Sequence, residues 1–263
     1  MVASGPLSLG EQISLTLITG FVPAIIASCS ANILARSNSE KAIAQLKYQF
    51  DLQHKGQLES FRQKYVSPLG YWAARLLGRL AELNQKMDTG RYDQVKGWFK
   101  ILKDHTARDQ RHADFALWTR YEGIFATTTL YYTCSYFQSV WSIDARSPLS
   151  EIDPRYANQL RERMRRVTDA FGGEFGLWDS SQIVIGELFS DGEGKTQYAE
   201  MCRVLDAGDP FAIGAYLRPI DFFLDLNKER IEKIMPALGE LVKFVNESAE
   251  ADGAALRAKA ASA

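Results

Sequence analysis

Cysteine, β-type alternation and excess charge of either sign are all scarce in this chain, and each scarcity removes a class of protein. Only three cysteines occur, Cys29, Cys134 and Cys202, far apart and without a C-x-x-C pair. Neither a disulfide framework nor a zinc site is therefore indicated, and buried free thiols are expected. The 31 Lys+Arg against 32 Asp+Glu leave a formal charge of -1, so no global field recruits nucleic acid or an anionic surface. Sustained alternation of apolar and polar residues is almost absent and no fixed-period repeat is visible, which leaves an all-α class. What is present is a hydrophobic fraction of 46% over 263 residues, enough to bury a core.

The longest stretch without charge runs from Gln12 to Ala35, 24 residues of which 17 are apolar, Gly or Pro. Roughly 20 helical residues cross a bilayer core, so the segment is expected to be a transmembrane anchor, with Pro23 kinking it. Thr16, Gly20, Ala24, Ser28 and Asn32 recur every fourth residue and stack small and polar groups on one stripe. Such a stripe lets a second helix approach in lipid and is the expected oligomerisation surface. A buried soluble helix remains open, as do a cleaved signal peptide and a lipoprotein signal at Ile26-Ala27-Ser28-Cys29. Both export signals call for a basic leader, and residues 1–12 carry no Lys or Arg. Arg36, Lys41, Lys47 and Lys55 follow the segment, which places the rest of a single-pass chain in the cytoplasm.

The remainder reads as helices. The expected division is a tail over 1–11, the anchor over 12–35, a juxtamembrane helix over 36–66, a multi-helix bundle over 67–249 and a flexible tail over 250–263. Val66-Ser67-Pro68 is expected to end the juxtamembrane helix, and Pro68 to open the next, whose stripe is Leu69, Trp72, Leu76, Leu80, Leu83 and Met87. A short amphipathic stretch surrounds Trp98 and Phe99. One aromatic helix is expected from Asp114 to Ser142, with the core stripe Trp118, Tyr121, Phe125, Tyr132, Tyr136 and Val140. Pro148 and Pro154 bracket a linker before a basic helix from Arg155 to Phe171, and a short helix covers Asp179 to Phe189 with Asp179 as cap. The last helix begins at an Asn227 cap, buries Ile231, Ile234, Leu238, Leu241 and Val245, and is bent or restarted at Pro236.

Four clusters carry possible chemistry. Gly194-Lys195-Thr196 imitates the end of a phosphate-binding loop, but Phe189 occupies the required first glycine and the preceding segment reads as helix, so nucleotide binding is not expected. Asp104, His105, Arg108, Asp109, Arg111 and His112 hold two of the three histidines. If helical, His105 and Asp109 share a face, as do Arg108 and His112, which permits acid/base or nuclease chemistry; a charged turn between helices is the structural alternative. No third metal ligand falls beside them, so no metal and no cofactor is expected. Arg155, Arg161, Arg163, Arg165 and Arg166 form a possible patch for an anionic partner, although Asp153, Glu162 and Asp169 are interspersed. Trp178, Asp179, Gln182 and Glu187 form the last group, in which Glu187 sits among Ile185, Leu188 and Phe189 and is expected to pair with an arginine of the basic helix.

Taken together, the N-terminal anchor, Ser67-Pro68-Leu69 opening a helix with Ala73-Ala74 and Leu76 to Leu80, the aromatic middle helix, Phe175-Gly176-Leu177-Trp178 and Ile185-Gly186-Glu187-Leu188 resemble a loose group of uncharacterised bacterial membrane-anchored helical proteins. The resemblance spans most of residues 60–245 and implies a fold without implying an activity or site residues. The function expected is that of a non-catalytic single-pass membrane protein whose helical bundle binds itself or another protein. The alternatives are a membrane-tethered effector acting on nucleic acid through residues 104–112, and a membrane-perturbing oligomer.

Overall fold

The computed structural model describes residues 39–109, 111–146, 153–173, 176–190, 196–208 and 210–260. The chain divides into two compact units between Gly56 and Gln57. The expected anchor over 12–35, its stripe from Thr16 to Asn32, and the Gly194-Lys195 pair lie outside the described residues. Among the described residues no helix is long and apolar enough to cross a membrane.

In the first unit residues 39–56 are helical (α1), and every side chain from 39 to 53 is exposed. The second unit is all-α: every regular element among its described residues is a helix. Its first helical stretch, 57–61, does not end before Pro68 as the sequence predicts. It passes through a π turn, Arg62–Val66, directly into α2 (Ser67–Asp88). Pro68 has no N–H to give to the preceding turn, and the chain widens ahead of it so that the Ser67 N–H reaches back to the Arg62 carbonyl. The wider turn also brings both Phe61 and Val66 into the core. On α2 the predicted stripe holds: Leu69, Leu76, Leu80 and Leu83 are fully buried, joined by Ala73, while Trp72 and Met87 pack at its margin.

α3 (Tyr92–Thr106) buries Val95, Phe99 and Leu102. The single aromatic helix expected from 114 to 142 is two, α4 (Phe115–Trp118) and α5 (Ile124–Arg146). The break follows from Gly123, whose missing side chain leaves room for the Trp118 ring to lie against its backbone, with its N–H donating to the Trp118 carbonyl at 2.8 Å. Tyr121 falls in this break and is 69% exposed, so it leaves the core stripe, whereas Tyr136 is fully buried.

α5 is buried on several sides and carries hydroxyls where an apolar stripe was expected. Thr127, Thr129, Thr133, Ser135 and Ser139 are all buried, and each returns its hydroxyl to the carbonyl four residues earlier, at 2.5 to 3.0 Å. That local bond satisfies a polar side chain without a partner on another helix.

α6 (Pro154–Phe171) starts where the sequence places it, with Asp153 accepting from the Tyr156 N–H at 2.9 Å and Pro154 in the first turn. α7 (Asp179–Leu188) has Trp178 at its cap position, so Asp179 lies one residue inside the helix rather than capping it. α8 (Tyr198–Ala207) and α9 (Pro210–Leu224) fill a stretch the sequence left unassigned. α10 (Lys228–Ala260) is capped by Asn227, which accepts from the Arg230 N–H at 2.9 Å, and runs unbroken through Pro236 and past residue 250. The core forms where α10 packs on α2 and α6, α5 on α2 and α7, and α9 on α3.

Candidate functional site

The cluster of residues 104–112 becomes a loop latch instead of a helical face. α3 ends at Thr106, and Arg108 adopts a left-handed conformation, φ +68°, that turns the chain away. A non-glycine residue costs on the order of 1–3 kcal/mol there, and the Arg108 guanidinium offsets this by donating to the Asp206 carbonyl on α8 at 2.8 Å while lying over Gly208. The turn separates His105 from Asp109 and Arg108 from His112, so the two helical pairs imagined for acid/base work do not form.

His105 is 2% exposed and both its ring nitrogens are engaged. Nδ1 accepts from the His112 backbone N–H at 3.0 Å, which places the proton on Nε2, facing the Asp206 carboxylate at 3.1 Å. The ring stacks on Phe115 with centroids 3.7 Å apart and planes 2° from parallel. Burial pushes its pKa below the usual histidine value, and the Asp206 carboxylate opposes that shift in part. A neutral imidazole with both nitrogens bonded to protein holds α3, α4, α8 and the intervening loop together; it has no lone pair to offer a substrate.

Phe115 and Asp206, two of the groups the ring touches, also line a cavity of about 260 Å³ with Thr119, Arg120, Tyr198 and Cys202. Tyr198 and Cys202 and Asp206 project from one face of α8. The Tyr198 hydroxyl donates to the Thr119 carbonyl at 3.2 Å and sits 2.7 Å from the Thr127 hydroxyl, and burial pushes its pKa up to about 12. Burial also raises the Cys202 thiol, which stays protonated at neutral pH. Cys134, on α5, is fully buried.

The basic helix is laced with acids. Arg166 reaches Glu162 at 3.2 Å and Glu240 on α10 at 3.1 Å, Arg165 lies 3.8 Å from Asp169, and Arg161 lies 3.9 Å from Asp144 on α5. Arg163 spends its guanidinium on the Phe244 ring, 4.1 Å from the centroid, and on the Gln159 carbonyl. Arg155 is exposed at the first turn. Between α5, α6 and the start of α7 a groove of about 690 Å³ is lined by Arg161 and Arg165 against Asp144, Glu162, Asp169 and Asp179. Two guanidiniums face four carboxylates, so the groove is acidic.

In the last group, Gln182 is buried and its amide donates to the Thr168 carbonyl at 3.0 Å and the Leu177 carbonyl at 2.8 Å, tying α7 to the end of α6. Glu187 points to solvent, contrary to the expected pairing with an arginine, because the buried face of α7 is formed by Gln182, Ile185 and Gly186.

Arg79 was invisible to sequence reasoning. Its largely buried guanidinium donates to the Phe125 carbonyl at 3.1 Å and the Thr129 hydroxyl at 3.3 Å and lies over the Phe125 ring at 4.0 Å. No group of three His, Cys, Asp or Glu side chains able to hold a metal occurs among the described residues. Compared with protein-family models, with curated proteins and with solved structures, the chain matches none.

Proposed function

We propose that this protein is a non-catalytic, single-pass membrane protein whose helical bundle serves self-assembly or docking of a protein partner. The observation that carries the reading is an exposed apolar stripe on α1. Ile43, Leu46 and Phe50 are 64%, 65% and 68% exposed at spacings of three and four, which puts them on one stripe. An apolar stripe exposed on a helix is stabilised by burial against another surface. The charge-free run from Gln12 to Ala35 immediately before it supports the membrane attachment, and the basic residues that follow support a cytoplasmic bundle.

The test uses the full chain. After an alkaline carbonate wash the protein is expected to stay in the membrane pellet; release into the supernatant overturns the anchor. Chemical cross-linking in detergent is expected to capture a defined oligomer, lost when Ile43 and Phe50 are both replaced by lysine and reduced when Gly20 and Ala24 are replaced by isoleucine. A chain that runs as a monomer in sedimentation removes self-association and leaves an unlike partner as the ligand of α1; an oligomer indifferent to both pairs removes α1 and the Gly20/Ala24 stripe as its interface.

A further inference from the structure

We propose that His105 is a pH-operated latch: protonation at Nδ1 expels the His112 backbone N–H, frees the loop over 107–114 and loosens the Phe115 wall of the cavity that holds Cys202. The geometry allows no other outcome for an added proton. Nε2 already carries one toward Asp206, so the second must go to Nδ1, where the His112 N–H now points at 3.0 Å. Two donors cannot face each other, and the loop is the part free to move.

The loop is poised for release. Arg108, in its left-handed conformation, donates its backbone N–H to the His105 carbonyl at 3.2 Å and its guanidinium to the Asp206 carbonyl at 2.8 Å. Four side-chain atoms that flank the latch, Thr106 Oγ1, Arg108 Nη1, His112 Nδ1 and Trp118 Nε1, are buried without a hydrogen-bond partner among the described residues. Each weakens the closed state relative to an open one in which water serves it. The charged and titratable groups that act on the ring are Asp206 from α8 and Arg111 and His112 from the loop; α4 contributes none. On its own helix, the neighbouring Lys103 turns instead to Asp221 on α9 at 2.8 Å.

Burial lowers the affinity of the closed ring for its proton, so between that lowered value and about 6.5 the open loop binds more protons than the closed one. Closure is therefore fully favoured above about pH 6.5 and is lost as pH falls through the window below it. Amide hydrogen exchange on the full chain reads this out. The protection factor at residues 107–114 is expected to fall by up to about tenfold per pH unit inside the window, while that of α2 and α10 stays flat. His105→Asn offers an oxygen to the His112 N–H without a titrating ring and is expected to abolish the pH dependence; His112→Ala keeps the backbone donor and is expected to retain it. Asp206→Asn removes the carboxylate that favours the imidazolium in the closed state, so the onset is expected to stay near about 6.5 while the total loss of protection on acidification grows. A flat profile in the native chain overturns the latch, as does a transition that survives His105→Asn or disappears in His112→Ala. Should His105→Asn not fold, Asp206→Asn decides: a loss of protection no larger than that of the native chain rejects His105 as the titrating group.

Discussion

Replacing Gly186 by alanine should destabilise the bundle, although the same change at Gly78 should stabilise it. A Cβ built on Gly186 would stand 2.6 Å from the Trp141 Cβ and 2.7 Å from the Phe137 carbonyl oxygen, both on α5. Neither is the flexible end of a side chain, so relief requires α7 and α5 to move apart along their whole contact. Overpacking of this kind costs about 1–3 kcal/mol. Alanine returns about 1 kcal/mol of helix propensity, which leaves a net loss of up to about 2 kcal/mol. Gly78 on α2 is exposed with nothing within 4 Å of its built Cβ, so Gly78→Ala keeps only the gain, about 0.5–1 kcal/mol. The pair should therefore differ by about 2 kcal/mol in opposite directions, or very roughly 4–8 °C in thermal midpoint for a chain of this size. Far-UV circular dichroism during heating measures both. If Gly186→Ala melts at or above Gly78→Ala, then α5 and α7 do not approach at that residue and the packing derived for them is wrong.

Two further substitutions probe the caps and the buried cation. Asp153→Ala removes the side chain that receives the Tyr156 N–H at 2.9 Å and should cost about 1 kcal/mol in chemical denaturation; no change in the midpoint would mean that Pro154 alone starts α6. Arg79→Lys keeps the charge but loses the planar fork above Phe125, and should cost about 1–2 kcal/mol, much more than Arg165→Lys on the surface; equal effects would show that the Arg79 contacts to α5 are not stabilising.

What could be read from the sequence is what depends on neighbours along the chain. Asp153-Pro154 and Asn227 announce helix starts because a capping side chain acts within one turn, and the leucines of α2 announce their buried face through spacing alone, whereas Pro68 only widens a helix that runs through it. The failures have the opposite character. Nothing local joins His105 to Asp206, 101 residues apart, or Arg79 to the Phe125 carbonyl, 46 residues apart. The break between α4 and α5 depends on Trp118 finding the bare backbone of Gly123, and the hydroxyl-rich core of α5 contradicts the expectation that threonine and serine face water. Gly186 lay in plain sight within Ile185-Gly186-Glu187-Leu188, but its meaning is a distance to α5 and so required the fold.

The same distinction separates the two surfaces that could meet a partner. Read as a string, α6 is the conspicuous one, with five arginines in twelve residues from Arg155 to Arg166. In the fold, Arg161, Arg165 and Arg166 each lie within 4.0 Å of a carboxylate and Arg163 packs on an aromatic ring. Exposed pairs of this sort are weak, about 0–1 kcal/mol each, so pairing alone would not stop a phosphate from competing. The stronger objection is the sum: the adjoining groove sets Asp144, Glu162, Asp169 and Asp179 against Arg161 and Arg165, and an approaching polyanion meets a net repulsion there. On α1 two acids, Glu40 and Asp51, are interleaved among three bases, Lys41, Lys47 and Lys55, and Ile43, Leu46 and Phe50 form one exposed stripe that Lys47 shares. Burial of that stripe against an apolar surface is therefore the larger available gain, and a search for partners should begin at α1 rather than at the arginines.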